Sequence, residues 1–436
     1  MSIAELKRYS GRIQAAVLEA ADPARATTRA FADGSLSRQL APRPGGRLIL
    51  IAAGKASRAM TAAAVEKLGT AFSEGLVVLP HGYPVDLPGK GMQVLHAGHP
   101  VPDEHGIAAA RGVTALVEGM GEIDVCLFLV SGGSSSLLPS PPPGVSLADM
   151  ARVTTLLLQS GAGIHELNAV RKHLSTFSGG RLAERCRGTI VTLAVSDVVG
   201  DDLAVVGSGP TVPDPSTWSD ALAVLSSHGL LPRVPAAARA VLEEGAAGRR
   251  PETPKTLPPR HAAAIIASGT IAVEAAAAEA RACGFTPVVL TTALTGEARE
   301  AGRLLAAAAR ESRLEGRPVA APACIIAAGE TTVTVVGRGR GGRNQEVALS
   351  AARELRGLDH VLLTSFATDG KEGTTDAAGA YASAETIAKG ERAGLDAGEC
   401  LERNDSYAFL AAAGELIRTG PTGTNVNDVS FILVER

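Results

Sequence analysis

A short aliphatic run that ends in a small-residue turn and leads into a helical stretch recurs along most of this chain, and that unit limits what it can fold into. RLILIAAGKAS runs into a helix predicted from Arg58, VCLFLVSGGSSS and TIVTLAVSDVVGDD repeat the pattern, and GLVVLP and MQVLHAGHP read as further strands. Such runs show no polar alternation, so each strand must be covered on both faces, which is the condition of a parallel sheet flanked by helices. Helices predicted over 106–120 and 146–160 fall between the strands. The expected fold class is therefore α/β, with a mostly parallel, doubly wound sheet. The opening stretch, to about Asp33, reads as an amphipathic helix broken at Asp22-Pro23.

A chain of 436 residues exceeds one compact core, so two domains are expected. GAAGRRPETPKTLPPRH lacks periodicity and is rich in Pro and polar residues, which reads as a boundary. The predicted division is a first domain over 1–245, a linker over 246–261 and a smaller α/β domain over 262–436. The second domain restarts with AAAIIASGT, PVVLTTALTGEA, CIIAAGETTVTVVG and HVLLTSFATDG.

Composition excludes several classes of function. A net charge of -3 gives no electrostatic reason for a nucleic-acid or anionic-membrane partner. No apolar run approaches the roughly 20 residues needed to cross a bilayer, and MSIAELKRYSGRIQ lacks a signal-peptide layout, so a cytoplasmic location is expected. Cys126, Cys186, Cys283, Cys324 and Cys400 have no metal-like spacing and are expected to be free buried thiols. The oligomeric state is not fixed by these features, and a homodimer is compatible with them.

In open parallel sheets, ligands bind beyond the carboxyl ends of the strands, and several of those loops carry unusual polarity. In Ala53-Gly54-Lys55-Ala56-Ser57, Lys55 stands at a strand-to-helix turn where it could meet a phosphate. This is no Walker A loop, since no glycine precedes Gly54 by five residues and Ala56 replaces the hydroxyl residue. Ser131-Gly132-Gly133-Ser134-Ser135-Ser136 offers backbone N–H groups and hydroxyls to an anion. Asp197, Asp201 and Asp202 gather acids near one strand end, a pattern that suits Mg²⁺, with helix capping as the plain alternative. Gly337, Arg338, Gly339, Arg340, Gly341, Gly342, Arg343 and Asn344 combine bare backbone with guanidinium forks, which favours a phosphate-rich ligand. Asp369 and Asp376 mark another acidic strand end, and Asn425 and Asp428 lie in a polar turn near the C-terminus.

Gly337, Gly339 and Gly342 also fit G-x-G-x-x-G after the expected strand TTVTVV, which makes an NAD(P)H-dependent reductase a competing reading. A non-enzymatic sugar-acid sensor is a third, against which the clustered acids argue. The scattered histidines His96, His99, His105, His165 and His173 read as structural.

Taken in order, AAGKAS, HAGHPVPDEHG, SGGSSSLL, LNAVRKHLS, SDVVGDDLAVVGSGPTVPDPST, GETTVTVVGRGRGGRNQE, ATDGKEGTTDAAGA, NDSYAFL and GPTGTNVNDV make the chain resemble the class II glycerate 2-kinases, whose C-terminal part is the MOFRL domain. Members are also labelled hydroxypyruvate reductases. The resemblance implies a Rossmann-like N-terminal domain, a MOFRL domain over about 320–430, an active-site cleft between domains, and ATP-dependent phosphorylation of D-glycerate at the 2-position. It implies Lys55 and Arg343 as the phosphate-handling pair; from the residues themselves, Asp197 and Asp202 are expected to hold Mg²⁺ and Asp369 to act as a base or second metal ligand. Ser131, Gly132, Gly133, Ser134 and Ser135 would cradle substrate, and Glu330, Gly339, Gly341, Gly342, Asn344, Asn425 and Asp428 would bind nucleotide or substrate. One departure stands out. Where the family has Lys-Gly-Gly, this chain has Ser178-Gly179-Gly180, so Arg171 or Arg181 would have to serve for that lysine.

Overall fold

The computed structural model describes residues 1–87 and 91–436. Its contacts divide the chain into two compact units, one of residues 23–196 and 202–266, the other of residues 1–22, 197–201 and 267–436.

The first unit is organised by a six-stranded sheet of β1 (Leu48–Ala53), β2 (Phe72–Pro80), β3 (Met92–Ala97), β4 (Val125–Val130), β5 (Thr189–Val195) and β6 (Ala262–Ala267). The spatial order is β3-β2-β1-β4-β5-β6, and the pairs from β3 through β5 are parallel. All six residues of β1 and of β4 are buried, as their uninterrupted aliphatic runs require. The order reverses between β1 and β4, so the loops following these two strands form the topological switch point where doubly wound sheets bind ligands. Beside the sheet, Trp218 helps to build a helical cluster with Val153, Leu157, Leu167 and Val170. That cluster fixes the helix Ile164–His173.

The second unit carries β7 (Thr286–Leu294), β8 (Ala323–Gly329), β9 (Val361–Ala367), β10 (Gly379–Ser383), β11 (Leu416–Ile417) and β12 (Asp428–Val434), in the order β11-β10-β9-β12-β8-β7. Only β7 and β8 pair in parallel. The last strand of the chain, β12, inserts antiparallel between β8 and β9, so this sheet is mixed.

The structure departs from the sequence expectations in three places. The helix Ile3–Ala21 belongs to the second unit, with the Ser10 hydroxyl 2.8 Å from that of Thr364 and Gln14 Nε2 donating to Tyr381 Oη at 3.0 Å. The segment expected as a linker is instead held down: Glu252 accepts from Trp218 N, Arg260 donates to Gly188 O, and His261 Nδ1 accepts from Ile190 N. Its composition resembles a linker, but its polar groups are used as anchors, and the change of unit comes at 266/267. Finally, TTVTVV is no strand. Residues 330–342 form an irregular excursion whose one bridge joins Thr332 to Glu297. The valines there lie open, with Val335 73% and Val336 75% exposed, so no apolar burial holds an extended pairing.

The five cysteines are free; Cys283 is half-buried and the others are buried. No helix among the described residues is long and apolar enough to cross a membrane.

Candidate active site

The loops after β1 and β4 fit together by backbone contact. Ser131 N donates to Ala53 O at 3.1 Å, Lys55 N to Gly132 O at 3.0 Å, and Ala56 N to Ser131 Oγ at 3.0 Å. Gly54 takes φ +124°, and a Cβ there would lie 2.2 Å from Ser131 Oγ and 2.6 Å from its carbonyl oxygen. Only glycine permits this approach. The same contact brings Lys55 beside the Ser131–Ser136 loop.

Lys55 is exposed and has no carboxylate partner among the described residues. Ser134, whose hydroxyl is buried, has no hydrogen-bond partner there. Ser135 Oγ lies 3.0 Å from Ser208 Oγ, which donates to Asn168 Oδ1 at 2.8 Å. This chain ties the loop to the helix Ile164–His173. A Cβ at Gly133 would sit 2.7 Å from the His99 ring and 3.6 Å from Lys55 Cγ, so His99 closes one side of the loop. Burial and then the Lys55 charge hold the His99 pKa below its ordinary value, both disfavouring the charged ring. Sequence reasoning read His99 as structural and gave Asn168 and Ser208 no individual role. The signal for His99 was its place in HAGHPVPDEHG, directly beyond a strand end.

The acids after β5 are divided between the two units. Asp197 is half-buried and belongs to the second unit, while Asp202 belongs to the first. Asp202 Oδ1 accepts from Ala204 N at 2.8 Å, a turn cap, and its Oδ2 lies 3.7 Å from His165 Nδ1. Asp201 accepts from Ser268 Oγ at 2.7 Å. Among the described residues, the metal-ligating cluster of three is elsewhere, at His81, Asp103 and His105. There Asp103 is already engaged, capping the helix Glu104–Glu118 through Gly106 N and bonding His81 Nε2 at 2.6 Å.

In the second unit, the glycine-rich excursion meets the helix Arg343–Glu354 and borders a pocket of about 420 Å³. Val333, Val335, Gly339, Arg343, Asp369 and Lys371 are among its lining residues. The helix begins on a buried carboxylate: Glu372 accepts from Asn344 N and, at 3.1 Å, from Gln345 N. Burial, reinforced by nearby Asp428, pushes Glu372 up to about 8 against those two amides. Asp428 is pushed up to about 6 by burial, which Arg343 opposes. Arg343 bonds Glu330 and reaches Asp428 with Nε at 3.0 Å, so its guanidinium is held by two carboxylates. Asn344 Oδ1 accepts from Ser365 Oγ at 2.6 Å, fixing that side chain inside the unit. Asn425 Oδ1 accepts from Asn427 N at 3.1 Å and thereby forms the turn before β12. Asp369 is half-buried at the pocket, with Oδ1 taken by Lys371 N. Asp376 is turned to Tyr407 and Arg418.

The glycines of this excursion have a packing reason. A Cβ on Gly337 would lie 2.1 Å from Arg403 O, one on Gly339 2.4 Å from Asp405 Cβ, and one on Gly341 2.2 Å from Ser406 Oγ. Asn404 staples the same stretch, its Oδ1 accepting from Val336 N at 2.8 Å and Gly337 N at 2.9 Å. NDSYAFL is thus the clamp of the glycine loop, a role that no spacing in the sequence announced. The G-x-G-x-x-G reading also loses its context. A dinucleotide fingerprint needs a tight strand-to-helix turn between adjacent parallel strands. Here 13 residues separate β8 from the helix, and β12 lies between β8 and β9.

Comparison with known proteins follows the same two-part layout. Residues 10–243 match the family described as a domain of unknown function, DUF4147, and residues 323–428 match the MOFRL family. A glycerate 2-kinase of Pyrococcus horikoshii is 40% identical over 434 residues, which span 99% of this chain and 98% of that protein. A protein of Agrobacterium vitis provisionally named hydroxypyruvate reductase is 44% identical over 398 residues, 91% of this chain and 89% of its own length. The crystal structure of a glycerate kinase from Thermotoga maritima superposes with a TM-score of 0.88 at 42% identity, covering 99% of this chain and all of that one.

Proposed function

The chain belongs to the glycerate kinase family that joins a DUF4147 region to a MOFRL region, and from that premise we propose that it transfers the γ-phosphoryl group of ATP to the 2-hydroxyl of D-glycerate. The observation that carries this reading is the near full-length likeness to glycerate 2-kinases, together with an anion-attracting loop at the switch point of the first sheet. The proposed setting is the cytoplasm.

Phosphoryl transfer asks a protein to hold donor and acceptor in line and to neutralise charge on the moving group. The acceptor's 2-oxygen forms the new O–P bond as the bond from the γ-phosphorus to the β,γ-bridging oxygen breaks, and the hydroxyl proton passes to a base. Lys55, exposed and unpaired, is the cation assigned to the transferring group. Ser131, Gly132, Gly133, Ser134 and Ser135 offer N–H and hydroxyl donors to the acceptor. On the second unit, Val333 and Val335 give the pocket an apolar wall suited to a base, and Gly339, Gly341, Gly342 and Lys371 lie where phosphates would be held. Arg343 meets a phosphate by exchanging Glu330, the more exposed of its two partners. Asp369, with one carboxylate oxygen uncommitted to Lys371 N, is assigned as the base or as a metal ligand.

Mg²⁺ is a hard cation that takes one or two carboxylates and otherwise water and phosphate, and the uncommitted oxygen of Asp369 offers it such a donor on the second unit, as the carboxylates of Asp197 and Asp202 would each on their own unit. When bound, Mg²⁺ would neutralise the phosphate oxygens of ATP.

The test is a coupled assay with D-glycerate, ATP and Mg²⁺ that separates 2- from 3-phosphoglycerate, run beside hydroxypyruvate with NADH or NADPH. Metal-dependent 2-phosphoglycerate without nicotinamide oxidation is expected. Nicotinamide oxidation without ADP formation would overturn the kinase reading.

A further inference from the structure

The helix Ile164–His173 ends in a dense group of cations, and all but one of them are spoken for. Lys172 Nζ lies 3.1 Å from Asp214 Oδ1, both buried. His173 bonds Ala169 O at 2.6 Å and Glu252 at 2.8 Å. Arg181, just beyond, donates to Lys172 O at 2.9 Å and lies over the Trp218 ring. Arg171 stands apart: among the described residues it has no ion pair and no hydrogen-bond partner for its guanidinium.

Its surroundings make that notable. Arg171 is enclosed closely enough for desolvation alone to lower its pKa, yet it keeps partial access to solvent. A desolvated guanidinium without a counter-charge is costly, and a ligand's anion is the natural compensation. One helical turn earlier, on the same face, Asn168 holds Ser208, which holds Ser135 of the switch-point loop. Beside that loop stands Lys55, which has no protein carboxylate among the described residues. The loop itself carries an unpartnered buried hydroxyl at Ser134, and Arg171 stands on the helix tied to it. Of the two arginines at this helix end, Arg181 is committed and Arg171 is not.

We propose that Arg171 is the anchor for the carboxylate of the acceptor acid, gripping it through the guanidinium fork and so selecting hydroxy acids over neutral polyols. This rests on the kinase reading above and adds to it the source of acceptor specificity. A planar fork matches a planar carboxylate in two parallel hydrogen bonds, which lysine cannot reproduce. The carboxylate is also the sole charged handle on glycerate.

The experiment compares wild type, Arg171→Gln and Arg171→Lys in steady-state kinetics, varying D-glycerate and ATP separately, with D-glyceramide as an acceptor lacking the charge. Calorimetric titration with D-glycerate in the absence of ATP runs alongside. Loss of a desolvated charge partner should raise the KM for D-glycerate about 100-fold in Arg171→Gln, with the KM for ATP unchanged. The preference for glycerate over glyceramide should collapse, which a merely structural role would not produce. Should Arg171→Gln melt below the assay temperature, Arg171→Lys carries the test, with a glycerate KM raised about tenfold and ATP unaffected. An unchanged glycerate KM, or a rise confined to ATP, would overturn the proposal, the latter by assigning Arg171 to a phosphate. A wild type that binds D-glycerate through Arg171 but forms no phosphoglycerate would refute the kinase reading alone.

Discussion

Asn404 ties down the glycine-rich excursion of the second unit, and replacing it tests how the pocket beside that excursion is held. Asn404 makes four hydrogen bonds: its Oδ1 takes Val336 N and Gly337 N, and its Nδ2 reaches Thr334 O at 3.2 Å and Glu346 Oε1 at 2.8 Å. Glu346 is 1% exposed and otherwise pairs with Arg299 at 3.1 Å. At about 1 kcal/mol for each neutral bond and somewhat more for the charged one, the side chain is worth at most roughly 5 kcal/mol. Water can replace the partners of the open Val336 and Gly337 amides, which brings the expected loss down to about 2–4 kcal/mol. Asn404 also sits at φ +54°, where alanine costs roughly 1–2 kcal/mol more and glycine does not. Asn404→Ala should therefore be less stable than Asn404→Gly, although both lose the same bonds. Calorimetry is the suitable readout, because the single Trp218 lies in the other unit. Both variants should raise the KM for ATP several-fold while leaving that for D-glycerate alone. An Asn404→Ala protein within about 0.5 kcal/mol of wild type, or an order of stability reversed between the two variants, would refute this account of the clamp.

Two further outcomes follow from the site. Lys55→Ala should lower turnover by orders of magnitude with the melting temperature preserved, since the lysine is exposed and unpaired; near-normal turnover would remove it from the mechanism. Glu372, raised to about 8 in the folded chain, binds its proton more tightly there than when unfolded. Its contribution to stability is full below about pH 4.5 and is lost as pH rises towards 8, by up to roughly 1.4 kcal/mol per pH unit. Glu372→Gln should abolish that slope, so melting curves between pH 5.5 and 8.5 that run parallel for wild type and variant would contradict the buried-acid assignment.

The sequence by itself determined most of the strands, the α/β class and the loops that are candidates for chemistry. Buried parallel strands must be continuous aliphatic runs, and Leu48–Ala53 and Val125–Val130 could hardly be anything else. Lys55 and Ser131 were legible as candidates because each follows such a run. What only the tertiary structure decided is which groups already have partners. Arg343 and Arg171 look alike as letters, yet one is held by Glu330 and Asp428 while the other is enclosed with no counter-charge. The excursion from Glu330 to Gly342 read as a strand because propensity counts Thr and Val, and burial, which such propensity stands for, is absent there. Long-range closure explains the remaining differences. Helix Ile3–Ala21 joins residues more than 350 positions away at Thr364, and β12 enters between β8 and β9 from the end of the chain. Contacts of that kind depend on complementary surfaces that form together, and no local pattern of residues encodes them.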